Sequence, residues 1–205
     1  MGYMSEAAEY LDTQRSIQIE ECVDDIRSLV ASSGVTGASL TQVKIRLLQL
    51  AAKTELFNTD IFPVQKGDSA SSLYLLSEDD NHEYAFYAVS EVTGNMSPPH
   101  DHTTWAVIAG IEGEELNKFY LRLDRGEELG HARIEEAHSE VVGIGTGVTL
   151  MPEDIHSIHC LVDQPTLNFH FYGRSIEHLP KRKAFNMSNG TYRYFPANPH
   201  IYKCT

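Results

Sequence analysis

From Leu56 onward the chain is built of short runs rich in Val, Ile, Phe, Tyr and Thr, each broken by Gly, Pro, Asp or Asn. Strands are predicted over 73–76, 84–92, 100–109, 116–123, 131–137, 140–144, 148–151, 157–162, 166–172 and 191–195. So many short strands at close spacing predict a sandwich or barrel, the double-sheet jelly roll included. The tail after Gly173 is richer in Lys, Arg, Pro and Asn and is expected to wrap the β region.

The segment before Leu56 follows a different period. Ile19, Cys22, Val23, Ile26, Leu29 and Val30 fall at helical spacing and form one apolar stripe. Ser32-Ser33-Gly34 ends that helix. A second is expected to start at Ser39 with an S-x-x-Q capping box to Gln42, and to carry the stripe Val43, Leu47, Leu50 and Ala51. The organisation expected is an N-terminal helical segment over 1–55, packed on a β domain over 56–205.

The balance of 29 acidic to 16 basic residues, a formal net charge of −13, argues against nucleic acid and anionic membrane partners, both of which need clustered Lys and Arg. No apolar run approaches the ~18 residues of a membrane span. Cys22, Cys160 and Cys204 are dispersed and show no metal or disulfide spacing. With no basic and apolar leader at the N-terminus, a reduced cytoplasmic setting is expected. On the same ground, Asn-x-Ser/Thr at Asn95, Asn186 and Asn189 is read as chance.

Two histidine runs carry the chemistry. Pro98-Pro99-His100-Asp101-His102 places two imidazoles two residues apart, on one face if the segment is a strand. Pro152-Glu153-Asp154-Ile155-His156 supplies a third that a neighbouring strand can bring alongside. Three neutral imidazoles can hold a divalent metal and leave positions open for ligands. His159, three residues further on, faces the opposite side of a strand. His82, His131 and His138 sit in polar surroundings and are expected to be solvated, and Cys160 to be a small core residue.

Along 166–172, Asn168, His170 and Tyr172 share one strand face, while Phe169 and Phe171 share the other. Either the polar row faces a cavity, or it is a solvated outer face with the phenylalanines in the core. The alternation alone leaves both open.

Gly94 followed by His100-Asp101-His102 and Gly113 resembles the first cupin motif; Gly147 through Pro152 to His156 resembles the second. The glutamate ligand that many cupins place four or five residues after the second histidine is replaced by Ala106 or Val107. Over 73–172 the chain further resembles the cysteine dioxygenase family, its bacterial members especially. The residues concerned are Pro98-Pro99-His100-Asp101-His102-Thr103-Thr104-Trp105, Asp154-Ile155-His156-Ser157-Ile158 and His170-Phe171-Tyr172-Gly173. The resemblance implies a mainly β fold, a cupin jelly-roll barrel. It implies ferrous iron on His100, His102 and His156, and conversion of a small thiol and O2 into a sulfinic acid. His170 and Tyr172 would then stand beside substrate and oxygen, as a catalytic pair.

Three departures follow. The family's serine two residues before that histidine is Asn168 here, an amide still able to orient an imidazole. No cysteine occurs between His102 and Gly113, so the cysteine–tyrosine crosslink of some members is not expected. The Arg or Gln that anchors a substrate carboxylate before the HxH is missing, since 67–117 holds no Arg, Lys or Gln. Arg174, close behind Tyr172, is the first candidate for a relocated anchor, with Arg122 next. Two other functions stay open: a three-histidine oxygenase cleaving carbon–carbon bonds in diketones, and a metal-binding module that senses a ligand without turnover. The sequence leaves the oligomeric state and the identity of the thiol undefined.

Overall fold

The computed structural model describes residues 6–67, 70–160, 164–196 and 201–203. Two helices come first, α1 (Glu6–Ser33) and α2 (Gly37–Ala51). Ile19, Cys22, Val23, Ile26 and Val30 are the buried stripe of α1. Gly34 closes that helix in the left-handed region (φ +66°), with its N–H on the Val30 carbonyl at 2.9 Å. The second helix starts one turn earlier than predicted. Thr36 is its N-cap and accepts from the Ser39 N–H, while the Ser39 hydroxyl accepts from the Thr36 N–H. Ser39 is therefore the inner partner of the capping box, because its own backbone is already helical.

Eleven strands follow among the described residues: β1 (Ser71–Glu78), β2 (Glu83–Glu91), β3 (Ala106–Glu112), β4 (Glu115–Arg122), β5 (Ile134–Val142), β6 (Gly147–Leu150), β7 (Ile155–Cys160), β8 (Thr166–Arg174), β9 (Lys183–Asn186), β10 (Thr191–Tyr194) and β11 (Ile201–Lys203). They form a six-stranded sheet in the order β11-β1-β2-β8-β3-β6, a three-stranded sheet β5-β4-β7 and a hairpin β9-β10. The described strands thus make separate sheets rather than the single closed barrel expected.

The result is three layers. One apolar cluster joins the stripes of α1 and α2 to Phe86, Val107, Phe169 and Phe171 on the outer face of the six-stranded sheet. A second cluster lies between the two sheets, joining Tyr87, Ile108, Leu150 and Tyr172 to Ile158 and Cys160 of β7. Trp105 stacks on Phe171 at 5.8 Å between ring centroids. A Cβ at Gly173 would come within 2.2 Å of the Trp105 indole nitrogen, so the close approach requires glycine there.

Several expectations need correction. Residues 134–137 and 140–142 of two predicted strands belong to one strand, β5, whose run of exposed residues hid its continuity. The predicted strand 100–109 begins only at Ala106. His100 makes isolated bridges to His156 and Ala184, and Thr103 turns the chain with φ +56°. The pairings of β9 and β11 were unforeseen, because their residues lie in the polar tail. Residues 161–162 of one predicted strand, and Cys204, lie outside the described residues.

Candidate metal centre and its cavity

His100 and His102 meet His156 through a turn rather than along a strand. His100 and His156 exchange backbone hydrogen bonds, at 2.7 Å from the His100 N–H and 3.0 Å from the His156 N–H. Asp101 ties down the far side, its carboxylate accepting from the Lys183 N–H at 2.8 Å and from Lys183 Nζ at 3.2 Å. The polar tail thereby holds the histidine turn in place.

The three side chains converge through their Nε2 atoms. His102 Nε2 lies 3.1 Å from that of His100 and 3.4 Å from that of His156. His156 Nδ1–H donates to Asn117 Oδ1 and His100 Nδ1–H to the Pro98 carbonyl, each at 2.9 Å. Those outer bonds fix the tautomer, so both rings turn an Nε2 lone pair inward. All three residues are buried. Burial drives their basicity down, to about 3 for His100, reinforced by the positive Arg182 and by mutual repulsion. His102 Nδ1 has no hydrogen-bond partner among the described residues.

Three inward-turned nitrogens within tetrahedral reach fit a divalent ion. Such an ion sets ligand nitrogens ~2.0–2.1 Å from itself. Two of the three rings already carry the outer hydrogen bonds that metal-bound histidines favour.

Beside the centre lies a cavity of about 430 Å³, bordered by Tyr87, Glu91, His100, His170, Tyr172 and Arg182. The polar row of β8 points to this side of the sheet. The Tyr172 hydroxyl and His170 Nδ1 are 3.1 Å apart, and the Tyr172 ring meets His102 edge-on at 5.2 Å. His170 is kept neutral by burial and by Arg182, its basicity lowered to about 3. Burial likewise pushes the Tyr172 phenol up, so its hydroxyl keeps its proton.

The predicted site residues separate. His170 and Tyr172 stand at the cavity. Asn168 instead reaches behind the centre, its Nδ2 donating to Glu115 Oε2 at 2.8 Å. Arg174 is exposed and turns away, with Nε near the His178 carbonyl at 3.4 Å. Arg122 bonds Asp124 at a distance from the site. The cation at the cavity is Arg182, 6% exposed, its guanidinium 5.0 Å from the Phe195 ring centroid and its Nε 3.5 Å from the Asp101 carbonyl. In the sequence it sits inside Lys181-Arg182-Lys183, which reads as a solvated charge run.

Behind His156 lies a second unforeseen group. Asn117 Nδ2 donates to Glu115 Oε1 at 2.9 Å, so Glu115 supports the His156 partner. Burial and the neighbouring Glu91 raise the Glu115 carboxyl to about 8. The Cys160 thiol donates to Glu91 at 2.8 Å, and burial pushes that thiol up, away from nucleophile chemistry.

No family profile matches the chain. No curated protein matches it either. Among solved structures, an oxalate oxidase in complex with the substrate analogue glycolate is similar at 16% identity and a TM-score of 0.42, over 58% of this chain and 59% of that one. KdgF from Halomonas sp. is similar at 12% identity and a TM-score of 0.42, over 58% and 94%. The DMSP lyase DddQ from Ruegeria pomeroyi is similar at 16% identity and a TM-score of 0.40, over 59% and 52%. This chain thus spans about three fifths of the oxalate oxidase chain. These partial backbone likenesses assign no activity, and the functional argument rests on the site itself. Among the described residues, no helix is long and apolar enough to cross a membrane.

Proposed function

We propose that this protein is a cupin-type thiol dioxygenase, holding ferrous iron on His100, His102 and His156 and converting a small thiol and O2 into a sulfinic acid. One observation supports this reading above the rest. Three buried Nε2 atoms converge beside a cavity that also presents a neutral His170–Tyr172 pair and a buried arginine. The overall change balances as R–SH + O2 → R–SO2H, with sulfur oxidised and oxygen reduced.

When bound, the iron supplies a Lewis-acidic, redox-active centre with open positions. The residues do the rest. Arg182, whose charge is costly to bury unpaired, offers its guanidinium to a substrate carboxylate and so orients the thiol. With His170 Nδ1–H donating to the Tyr172 oxygen, the phenol keeps its own proton to donate into the cavity. Three neutral ligands leave a metal's charge uncompensated, which favours an anionic ligand such as a thiolate. The apolar walls Val89, Ile158 and Ile176 limit water around the reacting groups.

The diketone reading drew its support from a missing carboxylate anchor, and Arg182 removes that support. The substrates expected to do best are thiols with a carboxylate two or three bonds from sulfur.

The test is anaerobic iron loading followed by oxygen-electrode assays with 3-mercaptopropionate, cysteine, cysteamine and a β-diketone. One O2 consumed per sulfinate formed is expected with the carboxylate thiols. Arg182→Met should raise KM for those by at least ~10-fold while leaving cysteamine unchanged. Oxygen uptake with the diketone alone would overturn the proposal, and no uptake with any substrate would favour a sensor.

A further inference from the structure

We propose a second divalent-metal site at the end of the six-stranded sheet where β1 turns into β2, formed by Glu78, His82 and His178 and suited to a borderline ion such as Zn²⁺. It shares no residue with the three-histidine centre, and its three ligand atoms lie within 4.8 Å of one another. His82 Nδ1 is 3.0 Å from Glu78 Oε1. The His82 and His178 rings stack at 3.6 Å between centroids and 13° between planes.

The backbone is arranged to bring them together. His82 occupies the left-handed region (φ +62°), which costs energy for any residue with a Cβ. Its N–H donates to the Asp79 carbonyl at 2.8 Å, and its own carbonyl accepts from the Ser175 N–H at 2.9 Å. The His178 N–H donates to the Ser175 carbonyl at 2.9 Å. Ser175 thus fixes both histidine segments, and it is fully buried. Hydrogen bonds from Ser175 and His82 hold the Glu78 carboxylate beside the ring pair.

Donor chemistry selects the ion. Two imidazoles and one carboxylate suit zinc, which takes nitrogen at ~2.0–2.1 Å and leaves a fourth position to water. Ligands of a tetrahedral ion at that distance stand ~3.3 Å apart, so the cluster must contract slightly and the stacked rings must fan open. His178 is exposed, with solvent on its outer side. Asp79, Asp80, Glu83 and Glu177 surround the site in sequence, and the nearby Arg27 is already engaged by Asp24 and Asp79.

The test is equilibrium titration of untagged protein with Zn²⁺ against a chromophoric chelator, with circular dichroism as a check on folding. Wild type should bind two equivalents. His178→Ala and His82→Asn should each bind one; asparagine tolerates the left-handed backbone, so the turn survives. Glu78→Gln should weaken the second equivalent by at least ~10-fold. His156→Ala should keep one equivalent and lose it when His178→Ala is added. A single equivalent in wild type, or a second equivalent that survives both His178→Ala and His82→Asn, overturns the proposal. None of these readouts depends on thiol oxidation, so this site and the proposed activity stand or fall separately.

Discussion

The two faces of β8 are both buried, yet they do opposite work. Phe169 and Phe171 are fully buried against Phe86, Phe57 and the helix stripes, where shape and apolar area decide fitness. Asn168, His170 and Tyr172, one residue out of phase, face the space between the sheets, where each polar atom needs a partner. The helices make this possible. A sheet covered on one side by helices and on the other by a second sheet has no solvated face, so alternation along its central strand sorts apolar core from polar site rather than inside from outside. The reading of the polar row as an outer, solvated face fails for that reason.

The comparison can be broken from the polar side first, by acid. His100 and His170 are held near 3 and His102 and His156 well below 6.5, each by burial first. A histidine with a depressed folded value contributes stability above its unfolded value of ~6.5, and that stability is lost as pH falls toward the folded value. Each such group adds a slope of up to ~1.4 kcal/mol per pH unit, so the metal-free protein should unfold between about pH 6 and 4. Denaturant midpoints measured at successive pH values check this, and a flat profile would place the imidazoles in water.

On the apolar side, Phe169→Ala should cost ~3–5 kcal/mol in chemical denaturation, by lost transfer energy and a cavity beneath the helices. A loss under ~1 kcal/mol would mean that the helices do not seal that face. The polar counterpart is Tyr172→Phe, which keeps the ring against His102 and Tyr87. It should leave bound metal unchanged and slow the proposed thiol oxidation by about 10–100-fold, the range for losing a group that supports a metal site. Glu115→Gln probes the support behind the centre more gently. With Glu115 raised to about 8, its contribution is full at low pH and is lost as pH rises from its unfolded value toward 8. That gives stability falling with rising pH between about 4.5 and 8, by up to ~1.4 kcal/mol per pH unit, which the amide should flatten. Smallest of all is Arg174→Met: with its side chain exposed and turned from the cavity, stability should stay within ~0.5 kcal/mol and KM unchanged.

By itself the sequence determined the local periods. The stripe Ile19 to Val30 and its Gly34 stop, the strand character of most of the β region, and the alternation of Asn168, His170 and Tyr172 against Phe169 and Phe171 all follow from side-chain type at a fixed spacing, and the structure shows each of them. The three histidines were also legible, because a close HxH pair with a distant partner is a compositional signal that survives without knowledge of the path between them.

The tertiary structure alone decided what brings those groups together. His100 and His102 converge through a turn stapled by Asp101 to Lys183, a contact across 82 positions of chain that no local pattern encodes. Arg182 looks solvated within its basic run, yet the tail folds it against Phe195 and Asp101 at the cavity, while the locally plausible Arg174 turns outward at the end of β8. Glu115, Asn117 and Glu91 gather behind His156 from two strands that are not neighbours in one sheet. Short-range order depends on the residue and its few neighbours in the chain. The charge inside a cavity depends on which distant segment closes it, and that is settled only when the layers pack.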